Sequence, residues 1–389
     1  MIFPERFSNL PEYAFPRLRA LLGDESPGGP VRSMSIGEPQ HPFPDWIGEI
    51  IAKSLEGFGK YPPNDGTPEL LDAISGWIER RYAAAVSPDR IMALNGTREG
   101  LFNTVVALCP EQKAGKPPVV LVPNPFYQVY AVAALAIGAE PVYVPATAGT
   151  GFLPDYGALS HDILERTAIA FVCSPANPQG AVASVDYLAD LLALAEQYDF
   201  RIFADECYSE IYRDQPPPGL IQQDADPERV VIFHSLSKRS NMPGLRSGFV
   251  AAGPEAMGRI RQLRAYSGAP LPLPLQRVAE RLWADDTHVT ESRARYIRKY
   301  DIADRALEGI QGAGAPEAGF FLWLPVDDGE ETTLKLWRQT GVKVLPGAYL
   351  SRDTAMGNPG AGYIRVAMVT ESDHDFAQAM NDLRACVYG

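Results

Sequence analysis

Lys238 stands in the segment SLSKRSNMPGLRSGF (Ser235 to Phe249), directly after the apolar run VVIF (Val230 to Phe233). An amine at the end of a buried strand, with Ser235 and Ser237 near it and Arg246 further along, suits a phosphate clamp, a carbonyl-trapping nucleophile or a solvated basic loop. A second stretch, NGTREGLFNTVVALC (95–109), is a glycine turn opening into an apolar-periodic helix. Free N–H groups near Gly96, Thr97 and Arg98 can cradle an anion at the positive end of such a helix. Two hydroxyls, the Arg246 guanidinium and a helix terminus together suit one phosphate dianion. Neighbouring arginines and a helix dipole disfavour the charged form of Lys238, which leaves more free amine to attack a carbonyl. An aldehyde cofactor that carries a phosphate would use both features, and that points to pyridoxal 5'-phosphate.

The other needs of that cofactor can be sought separately. A ring nitrogen that must stay protonated calls for a buried carboxylate, and Asp205 closes the apolar run RIFADE (201–206). A phenolate oxygen wants donors, which Asn177 (in AIAFVCSPANPQG) and Tyr208 can supply, and a flat ring wants an aromatic face such as Tyr127. Each of these residues taken singly also reads as a cap, a turn residue or a core aromatic. All of them, however, follow strands of one expected sheet.

That sheet is read from short apolar runs alternating with helical stretches between about residues 95 and 252: PVVLVP (118–123), EPVYVP (140–145), AIAFVCS (168–174), RIFADE (201–206), VVIFHS (230–235) and SGFVAA (247–252). Runs apolar at nearly every position, separated by helices such as VDYLADLLALAEQY (185–198), indicate a mainly parallel sheet covered by helices on both faces. Ligands gather beyond the carboxyl ends of such strands, so the residues above should converge in space. The first sixty residues, rich in proline and glycine, read as an extended arm that turns repeatedly before its first helix. After LPLPLQ (271–276) come a long charged helical stretch (284–310), GFFLWLPV (319–326), a helix near 331–340, VKVLPGAYL (342–350), GYIRVAMV (362–369) and a terminal helix from about 371. The expected organisation is an N-terminal arm (1–45) that joins the small domain, a large α/β cofactor-binding domain (46–275) and a small α+β domain (276–389).

Composition excludes several functions. A net charge of −13 argues against a surface that neutralises nucleic-acid or lipid phosphates. No apolar run approaches the ~18 to 20 residues needed to cross a bilayer, and the expectation is a cytoplasmic protein. The four cysteines and five histidines are scattered without metal-ligand spacing, so no metal is expected.

SPANPQG, ADECY, SLSKRSNMPGLRSGF, NGTREG and YIRV resemble the signature segments of the fold-type I pyridoxal-phosphate enzymes, in the class I and II aminotransferase group, and the likeness spans nearly the whole chain. It implies an aspartate-aminotransferase-like fold in which Lys238 carries the cofactor covalently, Asp205 pairs with the pyridine nitrogen, Asn177 and Tyr208 bond the phenolate oxygen and Tyr127 stacks on the ring. Gly96, Thr97 and Arg98 (through backbone N–H), Ser235, Ser237 and Arg246 would hold the phosphate. Tyr61 would reach the phosphate of a neighbouring subunit, which implies a homodimer with shared active sites. Arg365 in YIRV would grip the substrate α-carboxylate, with Gly37 and Asn177 lining the same pocket. NPFYQVYAVAALAIGAEPVYVP and the lysine segment resemble the succinyldiaminopimelate aminotransferases, whereas AYSGAPLPLPLQ (265–276) is more proline-rich than in that subgroup. The implied substrates are N-succinyl-LL-2,6-diaminopimelate and 2-oxoglutarate. Arg32, Lys60 and Arg239 are candidates for the remote substrate carboxylates. A general amino-acid aminotransferase, a C–S lyase of the same fold and a non-catalytic ligand-binding regulator are the alternatives.

Overall fold

The computed structural model describes residues 3–389. In chain order its strands are β1 (Arg32–Ser33), β2 (Ile91–Leu94), β3 (Val119–Asn124), β4 (Glu140–Pro145), β5 (Thr167–Cys173), β6 (Arg201–Asp205), β7 (Val230–Ser235), β8 (Gly248–Ala251), β9 (Phe321–Pro325), β10 (Val342–Lys343), β11 (Leu345–Pro346) and β12 (Tyr363–Ala367). Seven of them form one sheet in the order β2-β8-β7-β6-β5-β3-β4. Pairings from β7 through β4 are parallel, while β8 runs antiparallel to both β7 and β2. The sheet is therefore mainly parallel, as the unbroken apolar runs suggest.

The alternation of side chains along these strands divides the interior into two cores. Leu121, Ala170, Ile202, Ala204 and Ile232 face helices Pro68–Tyr82, Val185–Tyr198 and Leu273–Ala284. Val122, Phe171, Phe203, Val231 and Phe233 face helices Thr97–Leu108, Val129–Ala136 and Pro254–Ser267. With both faces covered, the open end of the sheet is the edge where the parallel strands finish. Because β8 is reversed, the residues that precede it reach the same edge as those that follow β7, and Ser235 lies opposite Gly248 in the register.

The last hundred residues build a three-stranded antiparallel sheet, β11-β12-β9. Leu322 and Leu324 of β9 face the core shared with helices Thr287–Leu307 and Asp373–Val387, whereas Trp323 faces the opposite side. On that side it meets Ala14, Leu18 and Leu22, one stripe of helix Ala14–Leu22. The segment before residue 45 is thus not an extended arm throughout. AFPRLRALL places apolar residues four apart and coils to bury them, and a second early helix spans Ile47–Lys53. Further on, β1 pairs in parallel with β10, and Ala367 N–H donates to the Met34 carbonyl. Two other readings are revised. Strand β2 lies ahead of the expected sheet region because IMAL is too short to stand out, and the stretch 342–350 divides into β10, β11 and a 3-10 turn, Gly347–Leu350.

The loop that bears Lys238 is fastened from below by three consecutive side chains. Arg239 is buried between the rings of Trp77 and Trp283 and donates to the Leu282 carbonyl and to Asp286 Oδ1, both at 2.5 Å. Ser240 Oγ lies 2.8 Å from His288 Nε2, and Asn241 Nδ2 donates to Ser292 Oγ at 3.1 Å. Asp286, His288 and Ser292 lie at the start of the helix Thr287–Leu307 that leads into the small sheet's core, and Leu282 lies in the helix before it. Among the described residues no helix is long and apolar enough to cross a membrane, and no group of three His, Cys, Asp or Glu could hold a metal ion. Arg239→Ala should destabilise the protein by about 1–3 kcal/mol, since it leaves the buried Leu282 carbonyl without its donor and opens the space between the two tryptophan rings; a lowered urea midpoint checks this, and an unchanged midpoint would show that the fastening adds nothing.

Candidate active site

A cavity of about 340 Å³ opens at the carboxyl edge of the large sheet, and Thr97, Arg98, Tyr127, Asn177, Asp205, Tyr208, Ser235, Ser237, Lys238, Arg246, Gly37 and Arg365 all line it. Gly96 caps the helix Thr97–Leu108 immediately behind them. Tyr61 stands apart: in the single chain it is fully exposed and away from this cavity.

The Lys238 amine donates to the Gly37 carbonyl. Burial lowers its pKa to about 8, with Arg365 and Arg246 adding to the effect and Glu38 opposing it. An appreciable share of free amine therefore exists near neutral pH, as a carbonyl nucleophile requires. Asp205 is 6% exposed. Its Oδ2 accepts the Tyr130 hydroxyl proton at 2.7 Å and its Oδ1 accepts from Cys207 N at 3.4 Å. Tyr130, whose own ionisation is suppressed chiefly by burial, is thus a fixed donor that orients the carboxylate.

The phosphate-like cluster forms around the helix start. Gly96 has φ +83°, and a Cβ there would fall 2.1 Å from Arg246 Nη2, so only glycine lets the guanidinium lie against the turn. Arg246 is held from the other side by the Pro243 carbonyl at 2.8 Å. Thr97 and Arg98 open the helix, where the first N–H groups have no intrahelical acceptors. Ser235 Oγ accepts from Ser237 N at 3.1 Å, so the two serines turn around one point. Thr97 Oγ1 accepts weakly from Cys207 Sγ at 3.5 Å.

Arg365 comes from β12 and is 4% exposed. Its Nη1 donates to Asn177 Oδ1 at 3.0 Å and its Nη2 to the Ser35 carbonyl at 2.7 Å, while Nε is buried without a partner. Burial lowers its pKa to about 10, so it remains a cation at neutral pH. The Phe321 ring lies 4.3 Å from it and also crowds Gly37, where a Cβ would meet that ring at 2.5 Å. A buried cation with an unused donor fits an incoming carboxylate. Because Asn177 spends its oxygen on Arg365, its amide nitrogen is left to donate. The amine, the carboxylate, the phosphate-like cluster and this donor fit pyridoxal phosphate.

Two candidates for remote carboxylates point elsewhere. Arg32 pairs with Asp382 at 2.7 Å, and Arg239 is spent beneath the lysine loop. Lys60 is exposed and does not line the cavity. The cavity also holds residues that the sequence reading passed over, notably Tyr13, Glu38, Tyr130 and Cys207. Tyr130 carried a signal, since it falls three residues after Tyr127 on the first turn of a helix leaving β3. Glu38 adjoins Gly37 but sits among prolines that hide its direction.

The chain matches the family described as aminotransferase class I and II over residues 31–380. It is 31% identical to an LL-diaminopimelate aminotransferase of Dehalococcoides mccartyi over 387 residues, covering 96% of each chain. Among solved structures it is similar to an aminotransferase from Neisseria meningitidis Z2491 (TM-score 0.93, 36% identity, 98% of this chain and 99% of that one). It is also similar to the aminotransferase AspB from Helicobacter pylori 26695 (TM-score 0.90, 31% identity, all of both chains).

The lowered pKa of Lys238 has a consequence for the cofactor-free protein. The folded state disfavours the charged amine fully below about pH 8, and the penalty fades as pH rises towards the unfolded value of 10.5. The stability of the wild type relative to Lys238→Met should therefore improve between about pH 8 and pH 10. Denaturant titrations of both proteins across that window check the slope, and a constant difference would show that the amine is not held in a charge-averse setting.

Proposed function

Because the chain belongs to the class I and II aminotransferase family, we propose that it is a pyridoxal-phosphate-dependent transaminase of the diaminopimelate route to lysine, moving an amino group from N-succinyl-LL-2,6-diaminopimelate to 2-oxoglutarate. The observation that carries the reading is the convergence of Lys238, Asp205 and Arg365, the last with a buried, unpartnered Nε, on one cavity. The lysine-segment motif supports the succinylated donor. A second reading, the unsubstituted LL-diaminopimelate, is favoured by the name of the relative that is 31% identical.

When bound, pyridoxal phosphate supplies an electron-accepting ring for the electron pair left at the substrate α-carbon. Lys238 would hold it covalently, and Asp205, kept in place by the Tyr130 hydroxyl, would keep the ring nitrogen protonated. Thr97, Arg98 and Gly96 through the helix start, with Ser235, Ser237 and Arg246, would hold the phosphate. Tyr127 offers a face to the ring, and Asn177 and Tyr208 offer donors to its phenolate oxygen. Arg365 would bind the substrate α-carboxylate and so fix which bond at the α-carbon faces Lys238. The Lys238 amine, when not protonated, would be the base that carries the proton away from the substrate α-carbon.

A homodimer is part of this proposal. Leu55, Phe58 and Tyr61 form an exposed apolar run, which suits a second copy whose cofactor phosphate Tyr61 would reach. The small-molecule partners are the amino acid and the 2-oxo acid.

Initial rates with 2-oxoglutarate test the donor. We expect parallel double-reciprocal lines and a kcat/KM for N-succinyl-LL-2,6-diaminopimelate at least about tenfold above that for alanine or aspartate, the order of one charge-assisted contact. A higher value for LL-diaminopimelate would replace the succinylated donor with the second reading. Asp205→Asn should leave the fold and the bound cofactor in place yet lower kcat by at least about a hundredfold, because an amide cannot hold the ring proton by charge. Near-normal turnover in that variant, with full cofactor absorbance, would remove Asp205 from the ring nitrogen.

A further inference from the structure

His41 has no part in the chemistry described above. It is 4% exposed, and among the described residues neither Nδ1 nor Nε2 has a hydrogen-bond partner. A buried polar group left in that state needs a physical reason. Its ring lies edge-on against Tyr296 of the helix Thr287–Leu307, with centroids 5.0 Å apart and planes at 81°. Burial keeps the Tyr296 phenol neutral, and its ring stacks on Phe320, which lies 5.4 Å from the Lys238 amine. The charged groups around the imidazole are Arg295, Arg298 and Lys299 of the same helix and Asp373 at the start of the terminal helix. Asp373 is already shared by Arg298 at 2.9 Å and Lys299 at 3.6 Å, so it has little left for an imidazolium. Burial, then Lys299 and Arg295, lower the pKa of His41 to about 4, with Asp373 opposing.

The arm around His41 carries two acceptors that meet the cavity. The Ser35 carbonyl accepts from Arg365 Nη2 at 2.7 Å, and the Gly37 carbonyl accepts from the Lys238 amine. Among the described residues, the one backbone hydrogen bond of residues 35–41 runs from Gln40 N–H to the Val369 carbonyl at 3.2 Å. We propose that the neutral His41 ring is the latch that keeps this stretch docked, and that charging it withdraws the Ser35 and Gly37 carbonyls from Arg365 and Lys238. His41 is thus a positioning residue for two cations of the site, and one that acid can unset. A released arm returns the imidazole to its ordinary value of 6.5, so the released form takes up a proton that the docked form refuses. Docking is fully in force above about pH 6.5, weakens as pH falls and levels off below about pH 4. His288, the other imidazole whose pKa burial lowers to about 4, faces Ser240 and Asp285 beneath the lysine loop and serves as the control.

Hydrogen exchange of the cofactor-loaded protein, corrected for the intrinsic pH dependence of exchange, reads the docking of the arm. In the wild type, opening at the amides of residues 35–41 should rise about tenfold per pH unit as pH falls from about 6 to about 4.5, since one proton separates the two states. The amides of β6 and β7 should stay protected. His41→Phe keeps an aromatic edge for Tyr296 and cannot be charged, so it should remove the slope, whereas His288→Gln should keep it. A flat wild-type profile, or the same slope in His41→Phe, would overturn the latch. Should His41→Phe not fold, the wild type still decides: the His41 ring signals in an NMR titration must move well below pH 6.5, and an ordinary midpoint overturns the proposal. The link to the site is read by the affinity of the loaded protein for 2-oxoglutarate, which should fall more steeply with acid in the wild type than in His41→Phe. An equal fall in both would remove the positioning role. This last measurement alone rests on the transaminase reading, so a protein that shows the exchange slope without binding 2-oxoglutarate keeps the latch and loses that reading.

Discussion

A primary amine that is held short of full protonation at the end of a buried strand is the constraint around which the rest is arranged. Lys238 can be reactive near neutral pH because burial and two neighbouring guanidinium groups disfavour its charge. The same crowding is unfavourable for the empty protein, since cations gathered in one cavity repel each other. A phosphate and a carboxylate relieve it. The site would therefore suit anions in two places, and a glycine shapes each of them. Gly96 is shaped so that Arg246 can lie against the helix start, and Gly37 gives up its side chain to the Phe321 ring that backs Arg365.

The reversed strand β8 shows how topology serves this arrangement. In a wholly parallel sheet, the residues that precede a strand lie at the amino edge, far from the ligand. Reversal of β8 brings Arg246 back to the carboxyl edge within a short turn from Lys238, and the register of Ser235 with Gly248 fixes the distance between them. One loop thus brings the amine, the two hydroxyls and the Arg246 guanidinium to the same cavity. Its underside is tied by Arg239, Ser240 and Asn241 to the helix Thr287–Leu307. The position of Lys238 is thereby coupled to the element that carries the small sheet, and that sheet bears Arg365.

The large sheet was legible because its strands are buried on both faces and read as short apolar runs rich in Val, Ile and Phe and bounded by turn residues, whereas the equally apolar helix VYAVAALA (129–136) is set apart by its alanines. The residues that follow those strands were legible for the same reason, since the sheet's polarity dictates where Asp205, Asn177 and Ser235 must lie. What escaped has physical causes. Strand β2 is four residues long and is recognised only by its pairing with β8. Helix Ala14–Leu22 hides among prolines, and its stripe of Ala14, Leu18 and Leu22 has meaning only against Trp323, more than three hundred residues away. Arg239 looked like a candidate for substrate because it adjoins Lys238, but successive residues of a helical turn point in different directions, and this one points down into the packing between Trp77 and Trp283. Tyr130 was passed over because the hydrogen bond that gives it a role joins residues 75 positions apart.

The link between Arg365 and Asn177 carries this one step further. Asn177 follows β5 of the large sheet and Arg365 lies in β12 of the small one, so their hydrogen bond of 3.0 Å crosses between the two. In the proposed reading Asn177 would have two tasks, an acceptor towards Arg365, which the structure shows, and a donor towards the cofactor. A carboxylate taking up the free Nε of Arg365 would compete with neither existing bond, so the guanidinium can stay anchored while it binds. The small sheet would then be drawn onto the substrate by the same side chain that already joins it to the cofactor face. On the proposed role of Arg365, substrate recognition and alignment of the two sheets would be a single event.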